Sequence, residues 1–549
     1  MTEPTIDTSD PSVAQHVVSA LRACGIDTLY CVPGVQNDDF FDALVDAPDI
    51  RPVVARHEQG AAYMAMGAAQ VTGDPAAFCV VPGPGMLNAS AALTSAYWAY
   101  ARVLAIVGQI ATTHQGRHFG ALHDLPDQHI ILRQLTKESV EVHDEQTATA
   151  TIQRAIDSVV SGMPRPVSIE VPADVWGRPA PGAVASATAS RPALDPNDVE
   201  RAAASLAGAK RPIIVVGSGA SEAGPEVTAL AERLGAAVTT RRMGHGVVPT
   251  SHPLFVPISV AHELWADADV VLGIGTRLEW PLGTWGVDDD LTLIQINLDA
   301  DELDRHGVTD IALHADAADA AQALVDALGS GPPLDRAHEL DGLRSRFAER
   351  TAHLTPQRSY TAAIRTALPD DAVLVEDVTQ IGFAAHLFYD HLAPRSFLSS
   401  GAAGTLGAGA AVAIGASNAT DRPVVGIVGD GGFLFTATEL ATAVQHDIAC
   451  NILLFNDGAF GNVRRIQRTR FGDDRTIASK LENPDFATLA DSFGVTYERA
   501  DSPEALVPAL RRSIENDGPN LIEVPVGEMP DPWPHLRLPA VRGPHKPAR

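Results

Sequence analysis

Residues 423–458 read PVVGIVGDGGFLFTATELATAVQHDIACNILLFNDG. An apolar run, PVVGIV, stops at the turn Gly429-Asp430-Gly431-Gly432. A helical stretch, FTATELATAVQH, follows, and a second apolar run, NILLF, stops at Asn456-Asp457-Gly458. Continuous apolar runs that alternate with helices describe strands covered on both faces, which is the condition of a parallel sheet. Glycines at a strand-to-helix turn let backbone N–H groups approach an anion, and the partial positive charge of a helix start favours one, so a phosphate site is prepared. Asp430 and Asp457 then stand at the carboxyl ends of neighbouring strands, where open α/β sheets bind ligands. Two carboxylate ligands, with phosphate oxygens and water, satisfy the octahedral demand of Mg2+. A lone G-D-G is an ordinary turn; the spacing to Asn456-Asp457 is what shifts the reading.

The same alternation runs from end to end, in AAFCVVPGPG, VLAIVGQI, PVSIEVPAD, PIIVVGSG, DVVLGIG, LTLIQINLD, AVLVEDV and NLIEVPVG. At 549 residues the chain exceeds what one core can hold. Two stretches break the pattern: the Pro-, Ala- and Ser-rich 177–196, and 329–360, where a charged helical stretch lies between GSGPPLD and TPQRSY. Three doubly wound α/β domains are expected, at 1–180, 195–335 and 355–530. The remaining 531–549 is Pro-rich, unfit for a regular helix or inner strand, and either drapes over a neighbouring domain or ends loose.

The formal net charge of -28 opposes nucleic acid and anionic membrane surfaces alike. With 5% aromatic residues, base-stacking platforms are disfavoured as well. Cys24, Cys31, Cys79 and Cys450 show no C-x-x-C spacing, and three of them fall in strand-like runs, so they read as buried, reduced thiols. No targeting segment or membrane span is legible, and the expectation is a soluble cytoplasmic protein.

Other stretches carry single residues of interest. Glu58, in RHEQGAA after the strand-like RPVVA, opens a helix, where a glutamate is ordinarily a partner of the helix dipole. His57-Glu58 touches the zinc pattern H-E-x-x-H, but position 61 is alanine and the pattern fails. In SGAAGTLG (400–407) a glycine-rich packing seam would explain the glycines but not the single large residue, Leu406. Gly217-Ser218-Gly219 is not completed to G-x-G-x-x-G, because the next glycine is Gly224; nor is there a Walker motif or G-x-S-x-G.

The G-D-G turn followed some two dozen residues later by N-D resembles the binding motif of thiamine diphosphate enzymes. Over nearly the whole chain the order of domains is similar to the branch of acetolactate synthases and 2-oxo acid decarboxylases. The resemblance implies an N-terminal pyrimidine-binding domain, a central domain and a C-terminal diphosphate-binding domain. It implies Mg2+ on Asp430, Asp457 and the carbonyl of Ala459, with the cofactor against Gly429, Gly431, Gly432, Asn456 and Gln380. Many relatives have Asn where this chain has Asp457; the added charge tightens Mg2+ and slightly weakens attraction for the diphosphate. Glu58 matches the glutamate that shares a proton with the aminopyrimidine, a task suited to a dry pocket that raises a carboxyl pKa. The carbonyl of Gly404 matches the acceptor for the 4'-amino group, and Leu406 the wedge that bends the cofactor. Asp377 and Thr379 are weaker candidates for diphosphate contacts.

Around the substrate the resemblance implies His123, in the loop that also holds His114 and His118, as a donor or proton carrier. Val35 stands where some decarboxylases have an acid or hydroxyl, which leans toward the synthases. Val463 matches an apolar position, whereas Ile466 replaces a tryptophan of the branched-chain biosynthetic synthases. Arg277 resembles the arginine that holds an acceptor carboxylate or a flavin; an ordinary surface ion pair is the alternative. The central domain lacks the glycine-rich stretch of flavin-binding relatives, so FAD is disfavoured. The implied activity is decarboxylation of a small 2-oxo acid with transfer of the acyl carbanion to a carbonyl acceptor. Release of an aldehyde, a flavin-dependent oxidase and a degenerate binding protein are the alternatives. Members of the family build the site between subunits, so a homodimer or homotetramer is implied.

Overall fold

The computed structural model describes residues 9–543. The alternating runs form three separate sheets, parallel throughout. The first contains β1 (Thr28–Cys31), β2 (Arg51–Val54), β3 (Ala76–Val80), β4 (Val103–Gln109), β5 (Glu138–Glu141) and β6 (Val167–Pro172), in the order β2-β1-β3-β4-β6-β5. The second contains β7 (Ile213–Val216), β8 (Ala237–Thr240), β9 (Val270–Ile274), β10 (Thr292–Asn297) and β11 (Ile311–His314), in the order β11-β10-β9-β7-β8. The third contains β12 (Val373–Glu376), β13 (Phe397–Ser399), β14 (Val424–Gly429), β15 (Asn451–Asn456), β16 (Thr496–Arg499) and β17 (Asn520–Pro525), in the order β13-β12-β14-β15-β17-β16. Counted from its own first strand, the third sheet repeats the order of the first. In each sheet the order reverses beside its first strand, and the crevice beyond the strand ends at that point is where doubly wound folds bind ligands.

Residue type sorts strands within the sheets. Inner strands such as β3 (AAFCV) and β4 (VLAIVGQ) are buried along their length, while the edge strand β16 (TYER) is exposed or half-buried. Charged residues on an edge also discourage pairing with other chains. Cys31, Cys79 and Cys450 are buried and Cys24 half-buried, all unpaired, and burial pushes the Cys31 and Cys450 thiols up to about 12.

One seam joins the first and third domains. The helices Glu58–Thr72 and Ala408–Asn418 are rich in Gly and Ala and apolar all round, which suits buried helices. Their backbones touch. A Cβ on Gly67 would lie 2.2 Å from the Val412 carbonyl oxygen, and one on Gly415 would lie 2.0 Å from that of Met64. Met64 meets Gly415 and Gly67 meets Val412, so the helices run antiparallel. Tyr30 donates to the Gly415 carbonyl (3.2 Å) and accepts from Asn418 Nδ2 (3.0 Å), which locks the end of the seam.

The continuous helix expected over FTATELATAVQH is not formed. The chain makes a turn at Asp430–Phe433, a 3-10 turn at Ala437–Glu439 and a short helix at Leu440–Gln445. Thr436 causes the break, because its hydroxyl donates to the Gly407 carbonyl (2.8 Å) and draws the chain toward 400–407. The Pro-rich tail drapes over the central domain as far as it is described. Ser259 donates to the His535 carbonyl (2.6 Å), His262 Nε2 to that of Pro539 (2.8 Å), and the Val541 and Arg542 amides to that of Trp285. Residues 544–549 of the tail lie outside the described residues.

Gly415→Ala should therefore destabilise the protein by about 1–3 kcal/mol or more, since backbone blocks the added methyl. Thermal denaturation followed by circular dichroism checks this. Gly518→Ala, with nothing within 4 Å of its Cβ position, serves as the neutral control.

Candidate functional site

At the strand ends of the third sheet, beside the β12/β14 reversal, lies a cavity of about 210 Å³. Val378, Ile381, Leu406, Phe455, Phe460, Val463, Val526 and Met529 form its apolar wall. Thr379, Gln380, Asp430, Asp457 and Asn462 supply polar groups. A mostly apolar cleft with a few convergent polar groups is the usual form of a small-molecule site.

Asp430 and Asp457 both line this cavity, just beyond the ends of the paired strands β14 and β15, and are near enough for the Asp430 charge to act on Asp457. Among the described residues no ion pair reaches either. Asp430 is buried, and its Oδ2 accepts only from Asn483 Nδ2, at 2.6 Å. Burial, with the neighbouring Asp430 charge next, pushes the Asp457 carboxyl up to about 6. Asp457 Oδ1 takes the Ala459 amide (3.0 Å), and the loop is clamped by Phe460 N to Ser479 O and Leu481 N to Gly458 O, both 2.8 Å. The turn glycines have a packing duty besides any ligand: a Cβ on Gly431 would lie 2.6 Å from the Phe460 ring, and one on Gly432 3.0 Å from Asp377 Oδ2.

Asp377 does not line the cavity, whereas Thr379 both lines it and caps a helix. Asp377 is fully buried and accepts from the amides of Val378 (2.8 Å), Gly407 (3.3 Å) and Gly409 (3.4 Å), strapping the 400–409 segment to the sheet. Burial raises its pKa to about 6. Thr379 caps the helix Gln380–Phe388. Asn456 does not line the cavity either; its amide donates to Glu523 (2.7 Å) and its oxygen accepts from Asn483 and Gly458.

A second group of expected residues gathers at the strand ends of the first sheet. Glu58, the first residue of its helix, is half-buried and accepts from Asn88 Nδ2 at 2.9 Å through Oε2. Gly85 faces its Oε1. The Gly83 turn beside them adjoins the His123 carbonyl, which a Cβ on Gly83 would meet at 2.5 Å. His123 is held at φ +66, the left-handed region, with Nδ1 buried and unpartnered. Such strain in a non-glycine residue persists only where its surroundings enforce it. Gln36 donates to the Leu122 carbonyl, which leaves Val35, Phe119 and Leu122 exposed on the same rim.

The two groups are held apart within one chain. The helix Pro84–Trp98 touches both: Asn88 holds Glu58, and seven residues on Ser95 bonds Thr405 (2.5 Å), next to Gly404 and Leu406. Seven residues are about 10 Å of helix rise. Arg277 lies at the end of that helix, stacked on Trp98 and Tyr100 (5.1 and 5.7 Å) and paired with Glu279 at 2.7 Å. Ile466 is exposed on the helix Gly461–Phe471, outside the cavity that Val463 lines. The central Gly217 and Gly219 serve a crossing of two turns, where a Cβ on Gly217 would lie 2.3 Å from the Gly275 carbonyl.

Asn88, Asn483 and Glu439 were not singled out from sequence. Asn483 sits before Asp485, which caps the next helix, so NPD reads as a cap signal alone. Glu439 is buried, accepts from the Arg56 amide (3.1 Å) and Thr442 (2.7 Å), and burial raises its pKa.

Residues 11–131, 199–324 and 377–524 match, in order, the N-terminal TPP binding, central and C-terminal TPP binding domains of the thiamine pyrophosphate enzymes. A probable 2-ketoarginine decarboxylase of Pseudomonas aeruginosa is 34% identical, covering 93% of this chain and 94% of its own. The chain belongs to the thiamine pyrophosphate enzymes. A probable acetolactate synthase large subunit of Methanocaldococcus jannaschii is 30% identical (93% of this chain, 91% of its own). The large subunit of acetolactate synthase isozyme 2 of Escherichia coli is 29% identical (95% and 96%). As in other thiamine pyrophosphate enzymes, the cofactor-binding domains are the first and third, the two that carry the residue groups above. Among the described residues no helix is long and apolar enough to cross a membrane.

The Asp457 carboxyl makes stability depend on pH in a defined direction. Its folded pKa, about 6, lies above its ordinary 3.8, so its contribution is full below the ordinary value and lost as pH rises through 6. In chelator, Asp457→Asn should melt a few degrees above wild type at pH 8 and lose that advantage at pH 4. Melting curves of both proteins at the two pH values check this.

Proposed function

We propose that the chain is a Mg2+-dependent thiamine diphosphate enzyme that removes CO2 from a small 2-oxo acid and, as acetolactate synthases do, joins the acyl unit to a second carbonyl. The pair Asp430/Asp457 carries the reading: two neighbouring carboxylates at a strand-end crevice, the Asp457 pKa raised by burial and then by the Asp430 charge. Such a pair suits a hard divalent cation held between carboxylates and phosphate. Asp430, Asp457 and the Ala459 carbonyl would hold Mg2+, and Gly429–Gly432 with Gln380 would face the diphosphate. The bound thiazolium ring supplies the electron sink that loss of CO2 requires.

The protein's own part is positioning and proton handling. Asn88 fixes one oxygen of Glu58 and leaves Oε1 open to share a proton with a ring nitrogen. Leu406, on its strapped segment, is the large side chain against which the cofactor bends, and the Gly404 carbonyl accepts beside it. His123, whose carbonyl adjoins the Gly83 turn beside Glu58, is the candidate donor to the substrate.

A second copy of the chain completes this site. The antiparallel seam and the Pro84–Trp98 helix keep Glu58 away from Leu406 and Asp430 in one chain, while exposed apolar side chains rim both groups, Val35, Phe119 and Leu122 on one and Phe435, Val463 and Ile466 on the other. Apolar rims of this kind mark association surfaces. The reading is therefore a homodimer, or a tetramer built from it, with each site shared.

One observation favours a second reading, in which an aldehyde is released. Arg277, the candidate for an acceptor carboxylate, is taken up by Trp98, Tyr100 and Glu279. Decarboxylation is also what the name of the relative acting on 2-ketoarginine states.

Glu58→Gln should cut turnover by about 10²- to 10⁴-fold while circular dichroism and melting temperature stay as in wild type. An active variant would remove Glu58 from the mechanism. NMR analysis of incubations with pyruvate, with 2-ketoarginine and with mixed 2-oxo acids then separates the readings: a hydroxy ketone indicates carboligation, an aldehyde simple decarboxylation. Yellow colour with peroxide release would point to a flavin-dependent oxidase instead.

A further inference from the structure

At the edge of the first sheet two carboxylates meet across strands. Glu141 ends β5 and is paired in register with Glu170 of β6, so the two side chains leave the sheet on the same face. Like charges directly opposite in a sheet are unfavourable unless something sits between them. Glu170 is 1% exposed, and its Oε1 has no hydrogen-bond partner; only Oε2 is bound, by Gln128 Nε2 at 2.7 Å. His129, on the helix Gln128–Leu135, has Nδ1 3.6 Å from Glu141 Oε2 and 4.0 Å from Glu170 Oε1, with the Ser139 hydroxyl at 3.3 Å as its present hydrogen-bond partner.

We propose that His129, Glu141 and Glu170 form a binding site for a divalent transition metal of the zinc class. The ligand atoms of these three residues all lie within 4.8 Å of one another. Ligands about 2.0–2.2 Å from a tetrahedral zinc stand roughly 3.3–3.6 Å apart, so the two distances from His129 need only a small contraction. One imidazole with two carboxylates is a nitrogen and oxygen set that suits zinc, and too rich in nitrogen for Mg2+ to compete well. His143 Nε2, 3.5 Å from Glu141 Oε2, or water takes the fourth position. His129 and Glu141 are only half-buried and provide the entry path from solvent.

The surroundings agree with this assignment. Burial lowers the His129 pKa, which keeps the imidazole neutral, as a ligand must be. Burial, then the contact with Glu141, pushes Glu170 up to about 8, so its charged form is disfavoured where no cation answers it. Gln128 stands where an outer partner of a ligand would, and ties the site to the Gly83 turn by accepting the Gly83 amide at 2.7 Å.

The test is calorimetric titration of the chelator-treated full chain with Zn2+ in a large excess of Mg2+, which occupies all-oxygen sites. One Zn2+ per chain is expected. His129→Ala and Glu141→Gln should each weaken it at least tenfold, about the smallest loss that removing even an outer partner of a ligand brings. With Co2+ as the probe, wild type should show visible absorption from an imidazole-ligated ion, and His129→Ala should lose it. Absence of Zn2+ binding, or binding unchanged in both variants, overturns the proposal. Both substitutions are at half-buried positions, so the result does not rest on altering the buried Glu170.

Discussion

The contact on which the molecule depends is the backbone seam between the helices Glu58–Thr72 and Ala408–Asn418. No side chain separates them where Gly67 meets Val412 and Gly415 meets Met64. Such proximity leaves no room for sliding, because interiors are close-packed and a shift of one residue would drive a methyl into a carbonyl. The antiparallel direction then has a chemical consequence. Glu58 opens the first helix and Gly407 precedes the second, so the two helix starts, each beside the strand ends of its own sheet, point apart. One contact thus makes a single rigid body of the two cofactor-binding domains and keeps the two parts of the site at separate places on it.

Within each domain the residues of interest are placed by topology more than by local sequence. In the third sheet the reversal between β12 and β14 opens the crevice, and Asp377 at the end of β12 spans it to hold Gly407 and Gly409. That bond sets where Leu406 sits. Thr436 binds the Gly407 carbonyl from the other side, so the wedge segment is gripped by both walls. The cost is the helix that FTATELATAVQH would otherwise form.

Sequence patterns carried the strand-helix alternation well, because an inner parallel strand must be apolar along its whole length and glycine marks its end. They also carried Asp430, Asp457 and Leu406, each at a position the fold brings to one cavity. What they could not carry is anything that depends on long-range pairing. Asn483, which holds both Asp430 and Asn456, lies in a segment whose local signal is a helix cap. Glu141 and Glu170 become neighbours only through the β5–β6 register, which the 28 positions between them in sequence do not announce. Asn456, expected against the cofactor from the resemblance, has its amide hydrogen-bonded to Glu523, a partner that only the β15–β17 pairing brings near.

The charge of -28 acquires meaning from where the carboxylates are buried. Asp377 is solvated by three backbone amides, and Glu439 by an amide and a hydroxyl, so each has its compensation within the protein. Asp430/Asp457 and Glu141/Glu170 are of a different kind, since each sets two carboxyls side by side and, among the described residues, no arginine or lysine pairs with them. Burial raises the pKa of all four of Asp377, Glu439, Asp457 and Glu170, and in Asp457 and Glu170 the neighbouring carboxyl adds to it. A divalent cation would answer both charges of a pair at once, whereas a proton answers one. Chain stability should thus be coupled to cation concentration at two separate places, one between the strand ends of the third sheet and one at the edge of the first.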